Sequence, residues 1–324
     1  MRNTMKQMLH LTVMVLAMLS ANGTELRAQD ISGGAGGLVV RRANNPSLKR
    51  TSPSSSRKEK ALERANTARS AGGAPRLLEA EEQYKLAASL DPKDPRPHAG
   101  LGNILLDRLR YNEAIEEYKQ AISLDPDYTE AYFPLGYAYV RLQRFSDAAE
   151  IYRQLVRLRP DYAEAYNNLG YAYNQAGKYE EAIAAGKEVI RLVPESSGEA
   201  YKQEYQTRIE VLSQTYKNLG NAYTQLHKFA EAIESLKHAV SLDPQSASAQ
   251  FNLAVAYLEA GRYSEAVEAS KQTLKLRPRL AGAHFNLGLA YLKLRDKAAA
   301  LEQYEILKTL DPGAASELYG LISQ

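Results

Sequence analysis

A period of 34 residues constrains this chain more than anything else in it. The period is clearest in Ser213–Ser246, SQTYKNLGNAYTQLHKFAEAIESLKHAVSLDPQS, which reads as two short amphipathic helices joined by a tight turn. Numbered from Ser213, Tyr216 is position 4, Leu219 and Gly220 are 7 and 8, Tyr223 is 11 and Phe229 is 17. Ala232, Leu236, Ala239 and Pro244 then fall at 20, 24, 27 and 32. A unit this small cannot bury its apolar stripe alone, so its copies must stack as a row of helix pairs.

Seven such units span residues 61–314: 61–94, 95–128, 129–162, 163–196, 213–246, 247–280 and 281–314. The first is degenerate, keeping Ala80, Tyr84, Ala87 and Pro92 in place while Arg64 and Thr67 hold positions 4 and 7. The fourth has Gly186 at position 24, where an aromatic is usual. Glycine at position 8 costs about 1 kcal/mol inside a helix relative to alanine, so it needs a packing reason. The expected reason is close approach to the alanine at position 20, with large residues at 4, 11, 17 and 24 filling the space around it. Proline at 32 ends the second helix. The 22 tyrosines are read as architecture, since most occupy these positions. Pro134, early in the first helix of its unit, should make that helix start late or bend. Leu318, Leu321 and Ile322 are spaced for a short helix over 315–324 that caps the last unit.

One interval breaks the period. Pro194 to Pro244 is 50 residues instead of 34, an excess of 16 assigned to 197–212. Ser196-Ser197-Gly198-Glu199 has the form of a helix start. Tyr201, Tyr205, Ile209 and Leu212 continue at helical spacing into Tyr216, with no proline or glycine between, so the first helix of the fifth unit should begin early. The extension could serve as a wall or docking knob, or could simply pack on the fourth unit.

The first sixty residues differ in kind. Arg2 and Lys6 precede the uncharged run Leu9–Leu19, which is too short for a membrane span of about 20 residues. This pattern predicts a secretory signal peptide at 1–28, cut after Ala28 or after Gly23, and hence a periplasmic or extracellular protein. An uncleaved amphipathic start is the alternative. Residues 29–60, rich in Gly, Ser and Pro with seven Lys/Arg, are expected to form a disordered basic tether. Residues 1–60 hold ten Lys/Arg against three Asp/Glu, so the remainder is mildly acidic despite the overall charge of +3. The tether could touch anionic lipid or polymer, but without interleaved aromatics it does not read as a nucleic-acid binder.

Little points to catalysis. The chain has no cysteine, and its five histidines, His10, His98, His227, His238 and His284, form no HxxxH or HExxH pair. Gly-rich phosphate loops and GxSxG turns are missing, so neither an enzyme nor a cofactor site is expected.

The order of residues at positions 4, 7, 8, 11, 17, 20, 24, 27 and 32 resembles the tetratricopeptide repeat. The resemblance implies an all-α, right-handed superhelical solenoid of helix-turn-helix repeats that acts as a protein-interaction scaffold. In that family, first-helix positions 2, 5, 9, 12 and 13 line a concave groove for extended peptides. Carried over, the groove would display Phe133, Tyr137, Asn167, Tyr171, Asn174, Lys217 and Asn221. Further on it would display Phe251, Val255, Leu258, Phe285, Leu289 and Leu292. The first group is polar and amide-rich, and the second is an apolar surface awaiting a partner. Chaperone-binding members grip a terminal carboxylate. Lys217, Asn221 and Asn252 match three of the five gripping positions, but Gly282 and Asn286 stand where two cations belong. The partner would be a protein or peptide. The other reading is a cell-envelope tethering protein acting through its basic tail.

Overall fold

The computed structural model describes residues 53–193 and 202–324, which belong to different compact units. The signal peptide, most of the basic tether and the helix-start signal Ser196–Glu199 lie outside the described residues. Among the described residues the elements are helical throughout, and none is long and apolar enough to cross a membrane.

In the first unit the helices are α1 (Pro53–Ala71), α2 (Ala74–Leu90), α3 (Pro95–Asp107), α4 (Tyr111–Leu124), α5 (Tyr132–Arg141), α6 (Phe145–Leu158), α7 (Ala163–Gln175) and α8 (Tyr179–Leu192). Each packs on the next, as a stack of helix pairs requires. The second unit holds α9 (Lys202–Gln225), α10 (Phe229–Leu242), α11 (Ala247–Glu259), α12 (Tyr263–Leu276), α13 (Ala281–Lys293), α14 (Lys297–Leu310) and α15 (Pro312–Ile322). There the first helices also lie side by side, α9 on α11 and α11 on α13.

The turn inside each pair is the same in six repeats. Position 15 is left-handed in all of them: Leu109, Gln143, Gly177, His227, Gly261 and Arg295 have φ between 56° and 75°. The next N–H bonds back to the carbonyl five residues earlier, as Arg110 does to Leu105 at 2.8 Å and Lys228 to Tyr223 at 2.8 Å. This closes the first helix and aims the chain into the second. Four of the six repeats accept the strain of a side chain there, so glycine does not mark the turn.

The glycine at position 8 meets a different partner from the one expected. A Cβ on Gly102 would lie 2.7 Å from the Tyr118 ring, and one on Gly136 would lie 2.6 Å from the Tyr152 ring. On Gly220 it would collide with Leu236. In these three repeats the contact is therefore with the large residue at position 24, not with the alanine at 20, whereas in the last repeat Gly288 meets Leu318 of α15. The fourth repeat explains the rule by its exception. Gly186 leaves no bulk at 24, so Gly170 faces the Ala182 carbonyl at 3.4 Å and the Ala185 methyl at 3.6 Å.

Pro134 acts as expected. A short 3-10 turn, Thr129–Ala131, replaces the first turn of helix, and α5 begins only at Tyr132. The proline then sits in the first α-turn, where its missing N–H costs nothing. The inserted segment is described from Lys202 as part of one continuous 24-residue helix, α9. That start is eleven residues ahead of Ser213, adding about 16 Å to the helix. The capping helix also forms: α15 starts at Pro312, capped by the Asp311 side chain on Ala314 N–H, and buries Leu318 completely.

One boundary is corrected. Residues 53–60, read as the end of the tether, are the beginning of α1. Ion pairs hold this turn in place of apolar burial. Lys58 Nζ lies 2.9 Å from Asp91 and 3.1 Å from Asp94, and Arg96 joins Glu59 at 2.7 Å. Asp94 is 6% exposed and also caps α3 through the Arg96 N–H. Burial alone would raise its carboxyl pKa, but hydrogen bonds from Arg96 and Lys58 hold it at about 2.

Candidate functional site

In the first unit, the sequence-derived positions fall on α5 and α7. Phe133, Tyr137, Asn167 and Tyr171 are half-buried, and Asn174 is 9% exposed. Phe133 stacks on Tyr162 at 5.6 Å and meets Tyr152 edge-on at 5.8 Å, so its ring is held by α6 and by the residue that precedes α7. Tyr171 meets Phe145 edge-on at 6.3 Å. Aromatic and amide groups at the groove positions of two successive first helices are thus half-buried and partly fixed by ring contacts.

In the second unit, Lys217 and Asn221 on α9 are half-buried, and Lys217 Nζ donates to Ser248 Oγ at 3.2 Å. The apolar end differs from expectation. Phe251, Val255, Phe285 and Leu289 are only 1–3% exposed, so they do not form an open surface. Phe251 and Val255 share a cluster with Leu274, Leu280 and Ala283, while Phe285 and Leu289 join the main core of the unit. Phe251 and Val255 are covered because α12 and α13 pack against α11 and bring Leu274, Leu280 and Ala283 onto them.

Two of the carboxylate-gripping positions are occupied within the fold. Lys217 is engaged with Ser248, and Asn286 is 3% exposed with an amide nitrogen that finds no acceptor among the described residues. His284 is likewise structural, with its ring nitrogens 2.9 Å from Gln303 Oε1 and 3.0 Å from the Pro278 carbonyl. Among the described residues no cluster of side chains could hold a metal ion.

One residue on the same face escaped sequence reasoning. Arg141, the last residue of α5, donates to the Tyr137 hydroxyl at 2.8 Å and lies over the Tyr111 ring. The signal was present, because Arg141 holds position 13, one of the groove positions.

Models of the tetratricopeptide repeat match residues 102–143, 133–197, 220–261, 256–294 and 281–313, together more than half the chain. The chain belongs to the tetratricopeptide repeat family. Its stacked helix pairs are the solenoid architecture of these repeats, which generally bind protein or peptide partners and are typically non-catalytic. No curated protein sequence matches it.

Solved structures repeat the tetratricopeptide fold at low identity. PilW, a widely conserved type IV pilus biogenesis factor, is 21% identical with a TM-score of 0.56, covering 67% of this chain and 94% of its own. Pseudomonas aeruginosa pilF is 21% identical with a TM-score of 0.55, covering 70% and 96%. YrrB, a repeat protein with an unusual peptide-binding site, is 18% identical with a TM-score of 0.51, covering 63% and 97%. At such identities the likeness is one of fold.

Proposed function

We propose that the chain is an exported, non-catalytic scaffold that binds an extended segment of a partner protein across the first-helix face of its repeats. The observation that carries this reading is the α5–α7 face. Phe133 is held by two tyrosine rings, and Asn167 and Tyr171 are half-buried one turn apart on α7. Fixed aromatics give contact area at low entropic cost, and amides can pair with a ligand backbone running in either direction.

Envelope tethering through the basic segment 29–60 is the second reading, carried by its seven Lys/Arg, of which Arg41, Arg42, Lys49 and Arg50 precede α1. One experiment separates the two. Dodecapeptides selected on the full chain from a randomised library are measured against Asn167→Ala, Tyr171→Ala and a deletion of 29–52. Groove binding should fall at least tenfold in the point variants and survive the deletion. Tethering instead predicts weak peptide binding and strong binding to anionic vesicles that collapses with salt and with the deletion. Fusing residues 1–60 to a reporter active only outside the cytoplasm tests export.

A further inference from the structure

Six cationic side chains lie over tyrosine rings among the contacts described for this chain. Five of them also touch a carboxylate: Arg144 with Asp147, Arg159 with Asp161, Arg262 with Glu265, Lys271 with Glu268 and Lys308 with Glu305, at 2.7–3.5 Å. Arg141 is the exception. Its guanidinium lies 5.1 Å from the Tyr111 ring centre and 5.7 Å from that of Tyr137, with no carboxylate within 4 Å among the described residues. Yet Arg141 is exposed.

The contacts of Arg141 are with two uncharged tyrosines. One guanidinium nitrogen is spent on Tyr137 Oη at 2.8 Å, which orients the group and leaves the Tyr137 proton pointing away from it. The Tyr111 hydroxyl is buried and finds no hydrogen-bond partner among the described residues. A guanidinium carries five N–H donors and no acceptor. Arg141 also ends α5, but the helix terminus supplies only about half a negative charge and cannot neutralise it. What is missing is a planar anion that accepts from several donors at once, and a carboxylate fits that geometry.

We propose that Arg141, Tyr137 and Tyr111 form a receptor for an aspartate or glutamate side chain of the bound segment, which fixes the segment's register on the α5 face. This rests on the groove reading above and adds the partner's chemistry to it. The two tyrosine rings hold the guanidinium in place before binding, so little side-chain freedom is lost when the carboxylate arrives.

The test uses the peptides selected on the full chain. Wild type should enrich Asp or Glu at one fixed position, and selection on Arg141→Gln should not. For one acidic peptide and its Glu→Gln twin, the wild-type affinity ratio should be about tenfold or more and fall to about one in Arg141→Gln. Tyr137→Phe, which keeps the ring but removes the hydroxyl that orients Arg141, should lower the ratio severalfold. Groove peptides weakened by Asn167→Ala but lacking an acidic preference overturn this inference and leave the groove reading standing. No selected peptides at all overturn both. An acidic preference retained in Arg141→Gln assigns the charge recognition elsewhere and likewise overturns it.

Discussion

Replacing the glycine at position 8 by alanine should have opposite effects in two neighbouring repeats. At Gly136 the new methyl would lie 2.6 Å from Cζ and 2.7 Å from Cε1 of Tyr152. That ring is 1% exposed and is held on its other side by Phe133 at 5.8 Å, so it cannot swing clear. Overpacking of this kind costs about 1–3 kcal/mol, against about 1 kcal/mol gained in helix propensity. The net for Gly136→Ala is a loss of up to about 2 kcal/mol. At Gly170 the nearest atoms are 3.4 and 3.6 Å away, so only the propensity gain remains. Gly170→Ala should therefore stabilise by about 0.5–1 kcal/mol. Urea unfolding of both variants, followed by helical circular dichroism beside wild type, reads the signs directly. If both substitutions moved the midpoint in the same direction, the bulk at position 24 would not be what demands glycine at position 8.

Acid should weaken the first repeats through Asp94. Its folded pKa of about 2 lies below the ordinary 3.8, so its stabilisation is complete above pH 4 and is lost as pH falls toward 2. The stability difference between wild type and Asp94→Asn should shrink by about 2 kcal/mol over that window. A difference that stayed constant from pH 5 to pH 2 would remove the ion network from the account. At Gly177, with φ 75° and open space around it, Gly177→Ala should cost about 1 kcal/mol of backbone strain alone, read from the urea midpoint. A neutral outcome there would mean that the turn relaxes.

The architecture was legible because it is written several times over. Proline at 32, glycine at 8 and the aromatic ladder each recur, so a single degenerate unit such as 61–94 does not obscure the period. Pro134 could be interpreted alone because its chemistry is local. What faces what was harder to read. Positions 20 and 24 lie four residues apart on one helix face, and periodicity cannot say which of them meets Gly136. The start of α1 was invisible because its first turns are held by Lys58 and Glu59 rather than by apolar spacing. At the candidate site, sequence placed Phe133, Tyr137, Asn167 and Tyr171 on one face. It could not foresee that Phe251 and Phe285 would be covered, or that Arg141 would be the ring-bound cation lacking a carboxylate. Both facts depend on neighbours contributed by other repeats.

The glycine–ring contact also bears on how such a chain can change length. Gly102 and Tyr118, Gly136 and Tyr152, and Gly220 and Leu236 are each sixteen residues apart, inside one repeat. Tandem copying of any 34-residue stretch among these repeats, whatever its starting point, again sets a position-8 glycine sixteen residues before a position-24 side chain. Copying half a period would not. The extra segment at 197–212 falls after position 24 of the fourth repeat and before the Gly220–Leu236 pair, and separates neither. New material can enter the chain at the seams between repeats, while the lock within each pair sets the unit of growth.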